Sequence, residues 1–371
     1  MSKKIERQSN FELMRLVSMF FIVIWHIMVH GELFNDVEEP LILISNIITG
    51  IIILHVNSLI FITGYFSCEK QTIDWKKAGR LLGTVWLYKV GILMVFLIGN
   101  LYPISKVFIL EEILPLDVNN YWFINYYLVL LILIPYLNRV IENFKEKEFT
   151  KFIGILILLL SIIPAITNCR TISNNGYTLM NMILMYYLGA YFKKYPLEQN
   201  YYLKKLSKKQ IKWILLGSFF GLIFIRISIY YFSAKLLAIP NNGINWFGEI
   251  LKNDFFRYSS PLVILQTCLY CLWFECIEIK SKVINFCAKS VLGIYLIHDN
   301  YLLRLKIYKW LKVAPTSSTL GTLKVLFLSA IIIYISCFVI ETIRRFLVKF
   351  LEIVYTKIKQ WYMKTITKGE N

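Results

Sequence analysis

The sequence predicts an all-α membrane protein, a bundle of about ten transmembrane helices with both termini in the cytoplasm. Hydrophobic residues make up 57% of its 371 residues and charged residues only 17%, against about 25% charged residues in typical soluble domains. Apolar runs of about 17–25 residues, long enough to cross the hydrocarbon core of a bilayer, recur along nearly the whole chain. We therefore predict a single integral-membrane domain over residues 1–371.

Ten apolar segments define the predicted spans. They are residues 11–30, 41–66, 81–101, 121–138, 152–168, 178–192, 213–234, 259–277, 290–303 and 323–343. The loops on the side of the termini carry 28 Lys and Arg residues and the opposite loops carry 9, so the positive-inside rule makes both termini cytoplasmic. The outer loop 304–322 departs from this rule with four basic residues. It indicates either a functional basic surface outside or a misplaced late span.

The net charge of +18 does not predict a nucleic-acid partner. It follows from the topology and favours contact with anionic lipid headgroups. The seven cysteines form no CxxC pair and lie mostly in spans, which argues against a metal or redox role. The first apolar segment is too long for a cleaved signal peptide, and no small-residue cleavage site follows it.

The first span carries polar residues on one helical stripe. Arg15 and His26 are 11 residues apart, which brings them within about 20° of one another and separates them by about 16 Å along the axis. Glu12 precedes Arg15 by three residues and can pair with it, while His30 follows His26 by one turn. This predicts a site with an anion held at the cytoplasmic end and a base deep in the bilayer. Alternatively, Arg15 snorkels to the headgroups and His26 bonds a neighbouring helix.

All four histidines, His26, His30, His55 and His298, fall in or at the ends of predicted spans. This distribution favours a functional role for at least one of them over interhelical hydrogen bonding alone. Asp299 follows His298 directly and therefore points about 100° away from it. We expect Asp299 to face His26 or His30 from another helix and to orient the imidazole, although capping of a helix end explains it equally well.

Two further features each have two explanations, and a third is a buried-looking arginine. Lys76, Lys77 and Arg80 follow the second span and either bind a polyphosphate or are ordinary positive-inside charge. Trp122 belongs either to an aromatic belt at the outer interface or to a surface that stacks on sugar rings. Arg226 lies toward the outer end of the seventh span, where snorkelling to that side is one option.

With these residues assembled, the chain resembles the acyltransferase-3 family, integral-membrane enzymes that modify bacterial surface carbohydrates. The most specific motif is Arg-x10-His, formed by Arg15 and His26 in "NFELMRLVSMFFIVIWHIMVHG". Other blocks follow in the family's order, namely "FITGYF", "WKKAGRL", "YWFINYYLVLLILIPYLN", "YSSPLVILQTCLYCLWFE" and "LGIYLIHDN". Thr63 stands where the family commonly has serine.

The resemblance implies an O-acyltransferase of the bacterial plasma membrane that transfers groups other than amino-acyl groups. It moves an acyl group, usually acetyl, from cytoplasmic acyl-CoA to a sugar hydroxyl of a surface polysaccharide or its lipid-linked precursor. Acetyl-CoA is then a substrate, and we expect no permanently bound cofactor and no metal. The implied roles are catalysis by His26, as base or acyl carrier, and acyl-donor binding by Arg15, with a looser match for Arg80 and Lys77. We assign acceptor binding to His30, His298, Asp299 and Trp122.

The alternative functions are a polysaccharide polymerase and a flippase or transporter for lipid-linked saccharides. A transporter usually shows paired halves or broken helices near the midplane, and no such paired segments are evident in the sequence. A polymerase of this kind commonly relies on arginines in a large outer loop. The longest outer loop here, about 235–258, has only Lys235, Lys252 and Arg257 as basic residues.

Overall fold

The computed structural model describes residues 7–35, 37–116, 121–167, 174–200 and 203–369. Side chains are described for these residues except at 305 and 361–369. The first six residues and most of the predicted loop 169–177, whose charges entered the topology prediction, lie outside this set. The described residues form helices and connecting turns, without a β-strand among them.

The helices follow one another with short connections, as expected for an antiparallel bundle. In chain order they are α1 (Ser9–His30), α2 (Leu41–Ile52), α3 (His55–Ser67), α4 (Trp75–Ile98), α5 (Lys106–Ile113), α6 (Trp122–Ile141), α7 (Glu146–Thr167, with a π-helical turn at Leu158–Ile162), α8 (Leu179–Lys194), α9 (Lys208–Leu237), α10 (Asn242–Asp254), α11 (Pro261–Glu275), α12 (Lys282–Cys287), α13 (Val291–His298), α14 (Tyr301–Trp310) and α15 (Thr319–Gly369).

Within the described residues, seven segments are long and apolar enough to cross a membrane. They are Ser9–His30, Leu41–Ser67, Trp75–Ile98, Trp122–Ile141, Glu146–Thr167, Lys208–Leu237 and Thr319–Gln360. Each overlaps one of the predicted spans, and the polytopic helical bundle is confirmed. Their ends differ from the prediction because α4 starts earlier and α15 continues well beyond residue 343.

The other three predicted spans are shorter helices. Helices α8 and α11 have 16 and 15 residues, so each is about 22–24 Å long at 1.5 Å per residue. The predicted span 290–303 is two helices, because the side chain of Asn300 caps the start of α14 through the backbone N–H groups of Leu302 and Leu303. Asp299 therefore lies at a break between helices.

Helix α1 is packed on several sides and brings its polar stripe into the interior. It contacts α2, α3, α11, α12, α13 and α15. Beside it, α3 and α8 approach so closely that a Cβ at Gly64 would clash with the carbonyl oxygen of Tyr186, and one at Gly189 with that of Phe61. Small residues at such contacts are typical of membrane helix pairs. This contact fixes α3, which faces α1.

Arg226 corrects one expectation from the sequence. It does not snorkel outward, since only 2% of the residue is exposed. Its guanidinium donates to the backbone carbonyls of Gly50 and Phe255 and to Oε1 of Gln266. These acceptors compensate for burying the charge, and they join α9 to α2 and α11.

Candidate functional site

A cavity of about 730 Å³ lies along α1. Its lining includes seven of the eight residues to which the sequence analysis gave a catalytic or binding role, namely Arg15, His26, His30, Lys77, Arg80, Trp122 and Asp299. The eighth, His298, lies directly behind His26. The fold thus brings together residues from α1, α4, α6 and the break after α13 that are up to 284 positions apart in the chain.

One end of the cavity, here called the cation end, is strongly basic. Its cations are Arg7, Arg15, Lys77, Arg80, Lys289, Arg344 and Arg345. Among the described lining residues, the acids are Glu341 near these cations and Asp299 at the opposite end. The cation end therefore carries a large excess of positive charge, which raises the local concentration of anions.

Glu12 holds two of these cations on the first turn of α1. Its carboxylate accepts hydrogen bonds of 3.2 Å at both oxygens from Arg15 and lies 3.4 Å from Arg7. The sequence spacing predicted the pairing with Arg15. Since the Arg15 side chain is still 34% exposed, several of its N–H groups remain available to a ligand.

Glu341 on α15 organises the opposite wall of the cation end. Its two oxygens accept from Nε and Nη2 of Arg344 at 2.6 and 2.7 Å, and it also accepts from the hydroxyl of Tyr88 at 2.5 Å. Such charge-assisted, bidentate pairs fix guanidinium geometry. Next to it, Arg345 donates to the hydroxyl of Ser290 at 3.0 Å.

Between the cation end and His26, polar side chains from α3, α4 and α6 meet at the cavity wall. Nζ of Lys77 donates to the hydroxyl of Tyr127 at 3.3 Å, and Oγ1 of Thr63 lies 3.4 Å from that hydroxyl. Arg80, one turn along α4 from Lys77, donates through Nε to the backbone carbonyl of Lys76, which leaves its Nη groups for a ligand.

His26 belongs to a chain of hydrogen bonds that determines its tautomer. Nδ1 of His298 lies 2.6 Å from the carbonyl oxygen of Ile294 and must carry the proton, because a carbonyl only accepts. Nε2 of neutral His298 is then an acceptor, and Nδ1 of His26, 3.0 Å away, is the donor. Neutral His26 therefore has an unprotonated Nε2. No described residue forms a hydrogen bond with that nitrogen.

Asp299 faces His26 from the break after α13, as the sequence led us to expect. Its Oδ1 lies 3.5 Å from Nδ1 of His26 and accepts a 3.1 Å hydrogen bond from Arg304. Adding His30 to this pair gives three groups whose ligand atoms lie within 4.8 Å of one another. Nδ1 of His26 and Oδ1 of Asp299 are already engaged by protein partners, so a metal ion here would have to use Nε2 of His26 or displace these contacts.

The end of the cavity beyond His26 is aromatic. The ring of Trp122 lies 4.7 Å from that of Tyr177 and stacks on Tyr258 at 6.4 Å with an interplanar angle of 19°. Trp122 thus packs against other rings and also lines the cavity. A residue of an aromatic belt at the membrane interface would not need to line a cavity. Burial raises the pKa of the Tyr177 hydroxyl, so this group is neutral at physiological pH.

His55 also lines the cavity, although the sequence gave it no specific role. Its Nδ1 donates to the carbonyl of Ile52 at 2.6 Å, and its Nε2 accepts from the hydroxyl of Tyr258 at 3.3 Å. Both nitrogens of His55 are therefore engaged, whereas in His26 only Nδ1 has a partner among the described residues. The sequence also missed Arg304 as a partner of Asp299, and it missed the cations on α15. The sequence does contain a signal for the cations on α15. Glu341 and Arg344 stand three residues apart at the end of the last apolar run, where an ion pair is expected.

A family model described as an acyltransferase domain matches residues 8–341 of the chain. The matched segment contains every predicted site residue and all of the cavity lining except Arg7, Arg344 and Arg345. No curated protein matches the chain, and no solved structure matches it either.

Proposed function

The chain belongs to the acyltransferase-3 family, and on that premise we propose that it is an O-acetyltransferase of the bacterial plasma membrane. Its acyl donor is acetyl-CoA, and its acceptor is a sugar hydroxyl of a surface polysaccharide or its lipid-linked precursor. The observation that carries this proposal is a single cavity that joins seven cations to the unprotonated Nε2 of His26.

Acetyl-CoA suits the two ends of this cavity. Its diphosphate and 3′-phosphate match the cation end, where Arg15 and Arg80 offer guanidinium groups and Lys77 offers an ammonium group. The pantetheine arm then follows the stripe of about 16 Å from Arg15 to His26. A volume of about 730 Å³ lies within the range of about 300–1,000 Å³ that is typical of small-molecule sites.

His26 supplies a lone pair at the inner tip, and two routes use it. In direct transfer, Nε2 takes the proton of the acceptor hydroxyl while its oxygen attacks the thioester carbon. The carbon–sulfur bond then breaks, and the CoA thiolate leaves with that proton. In the covalent route, Nε2 itself attacks the thioester carbon, the carbon–sulfur bond breaks, and CoA leaves as the thiolate. The acetyl group then passes from Nε2 to the acceptor oxygen, and the released hydroxyl proton balances the charge of the thiolate. General-base catalysis of this kind typically contributes about 10²–10⁴-fold.

The neighbours of His26 act by orienting and stabilising it. His298 accepts the Nδ1 proton and thereby keeps Nε2 free, which makes it a positioning residue as well as a candidate for acceptor contact. When Nε2 takes a proton, the resulting imidazolium lies beside the Asp299 carboxylate, 3.5 Å from Nδ1. Arg304 pairs with that carboxylate, and the pairing favours its ionised form.

The acceptor enters from the aromatic end in this scheme. Trp122 offers a flat apolar surface on which a sugar ring can stack, and His30 offers hydrogen-bonding nitrogens whose ring lies 5.2 Å from that of His26. Aromatic walls with a few placed polar groups are the usual composition of such sites.

The test is NMR of the surface polysaccharide purified from cells with and without this protein, and with the His26→Ala variant. We expect loss of the acetyl signals from an otherwise intact polymer in both altered strains, with the variant still present in the membrane. Full O-acetylation in the variant contradicts the role of His26. Loss of the polymer itself supports a polymerase or flippase instead.

A further inference from the structure

Three lysines on and directly after α14 carry positive charge that no described acidic residue neutralises. Lys306, Lys309 and Lys312, here called the lysine cluster, belong to the segment that departs from the positive-inside rule. Lys309 and Lys312 are exposed, and Lys306 is half-buried over the ring of Tyr102. None of the three forms an ion pair with a described residue. From residue 300 to residue 340 the chain has no acidic residue at all.

The lysine cluster lies at the opposite end of the bundle from the cation end. The chain runs through α13 from Ser290, which bonds Arg345 at the cation end, to His298, which bonds His26. Helix α14 follows, and its Leu302 packs in one cluster with residues from the last turns of α4. Helix α15 then leads the chain back to the cation end. The topology predicted from the sequence makes the end at α14 the outer one.

Both ends of the α14 segment border the cavity. Arg304, near the start of α14, belongs to the cavity lining. At the other end, Val313 follows Lys312 and packs so closely on α1 that a Cβ at Gly31 would lie 3.0 Å from its Cγ1. Gly31 directly follows His30, an exposed residue of the cavity lining. The lysine cluster is therefore next to the part of the cavity that is proposed to receive the acceptor.

Lys312 has a backbone conformation that usually selects glycine. Its φ is +50°, in the left-handed region where a Cβ meets steric hindrance. The N–H groups of Lys312 and Val313 donate to the carbonyls of Lys309 and Tyr308 at 3.1 and 2.9 Å, which is the Schellman pattern at a helix end. A lysine at this position gives up backbone stability, and such a residue indicates a role for its side chain.

We infer that the lysine cluster binds an anionic acceptor, a saccharide chain whose sugar residues carry carboxylate or phosphate groups. The inference rests on the proposed acyl transfer at His26. One sugar residue enters the cavity with its hydroxyl, and acidic groups on neighbouring residues of the same chain contact the lysines. Trp310, which is 56% exposed, offers a flat apolar surface to a sugar ring beside them. These contacts lie outside the reacting centre, so they contribute to acceptor binding and to its rate of association.

Anionic lipid headgroups are the alternative partner of the lysine cluster, since lysine and tryptophan also favour the membrane interface. Two observations favour the saccharide. The α14 segment borders the cavity at both of its ends. In addition, attraction to headgroups depends on summed charge near the surface and requires no lysine in a left-handed conformation.

The experiment measures acetyl transfer by the purified full-length protein in nanodiscs of phosphatidylcholine, which has no net charge, and in a second series with added phosphatidylglycerol. Radiolabelled acetyl-CoA is the donor. The acceptor is the surface polysaccharide of the cells that make this protein, de-O-acetylated with mild alkali. The test variant combines Lys306→Gln, Lys309→Gln and Lys312→Gly. Glycine suits the left-handed position, so this variant loses charge without losing the helix end.

The control variant removes the same charge from exposed lysines that do not line the cavity, namely Lys147→Gln, Lys151→Gln and Lys209→Gln. In phosphatidylcholine, we expect the test variant to raise KM for the polysaccharide at least about tenfold, with kcat and KM for acetyl-CoA within about twofold. The increase should shrink as salt is added. The control variant should keep all three constants within about twofold.

A chemical change in the polysaccharide tests the same contact from the other side. Carbodiimide-mediated reduction removes its carboxylates, and hydrofluoric acid removes its phosphates. With the neutral polymer, the wild-type protein and the test variant should have the same KM for the polysaccharide, because the lysines no longer have a charged partner.

Four outcomes overturn the inference while the wild-type protein transfers label. They are an unchanged KM for the polysaccharide in the test variant, an equal increase in the control variant, a polysaccharide without acidic groups, and an effect confined to nanodiscs with phosphatidylglycerol. The last outcome indicates that the lysine cluster binds lipid headgroups. Absence of label transfer by the folded wild-type protein is a different result, because it contradicts the proposed function itself.

Discussion

The cation end and the part of the cavity around His26, His30 and Asp299, here called the histidine end, hold their polar groups in different ways. At the cation end, seven cations from four parts of the chain converge, and Arg15 and Arg80 keep N–H groups that no described residue engages. At the histidine end, each of the two partners of His26 also forms a hydrogen bond with another residue. His298 and Asp299 are 1% and 5% exposed and bond Ile294 and Arg304, respectively.

The two ends therefore depend on different physical effects. The cation end binds an anion through the summed charge of several residues, and the histidine end depends on the exact orientation and tautomer of His26. A cluster of partly exposed cations attracts a polyphosphate through many weak terms, each worth about 0–1 kcal/mol, so it tolerates the loss of one. A tautomer fixed by a chain of short hydrogen bonds depends on every member. Substitutions at the two ends should therefore affect different kinetic constants.

The largest effect is expected at His26. His26→Gln keeps a polar side chain in place but removes the imidazole nitrogen that, in the proposed mechanism, takes the proton or the acetyl group. We expect kcat for acetyl transfer to fall by at least about 10²-fold, while equilibrium binding of acetyl-CoA changes little. Isothermal titration and label transfer on the same preparation measure the two quantities. A weaker binding with unchanged kcat would place His26 in the binding machinery instead.

A smaller loss is expected from the partner behind it. His298→Ala removes the acceptor for Nδ1–H of His26 and lets the imidazole change tautomer and orientation. We expect kcat to fall by at least about tenfold with an unchanged KM for acetyl-CoA. Cys268→Ala provides a control, since Cys268 is buried and does not line the cavity. An equal loss of kcat in the two variants would indicate that His298 acts only through packing.

A still smaller effect is expected from a single change at the cation end. Arg80→Gln should raise KM for acetyl-CoA by about two- to fivefold with kcat unchanged, because one partly exposed charge contributes about 1 kcal/mol or less. The increase should shrink as salt is added. Arg139→Gln on α6, an exposed arginine outside the cavity, is the matched control. A lower kcat for Arg80→Gln, with no change for Arg139→Gln, would contradict the claim that the cation end affects only binding.

No effect at all is expected from metal removal. Nδ1 of His26 and Oδ1 of Asp299 bond protein partners, and the proposed acyl transfer uses Nε2 of His26 without a metal. Dialysis of the purified protein against a chelator should leave the rate of acetyl transfer within about twofold. Loss of activity that Zn²⁺ restores would instead assign a metal to His26, His30 and Asp299.

Much of the histidine end could be anticipated because α1 is one regular helix. The angle and rise per residue put Arg15 and His26 on a common stripe, and both line the cavity. The spacing of Glu12 and Arg15 likewise predicted their ion pair. The helical bundle itself followed from the apolar runs, since a membrane span must satisfy its backbone groups internally.

Contacts between distant segments could not be predicted in the same way. That His298 lies behind His26 depends on how α13 packs against α1, and local periodicity does not determine such packing. The break after residue 298 was missed because Asn300 caps a helix in an otherwise apolar run. Arg226 was misjudged for a related reason, since its acceptors come from α2, α11 and the chain near Phe255.

The most direct test is a structure of the protein bound to a non-hydrolysable analogue of acetyl-CoA. We expect the phosphates to lie among Arg15, Lys77, Arg80 and the arginines of α15, and the acyl carbon to lie next to Nε2 of His26. The phosphates and the acyl group should lie about 16 Å apart along α1. An analogue bound outside this cavity, or one whose acyl group points away from His26, would contradict this expectation.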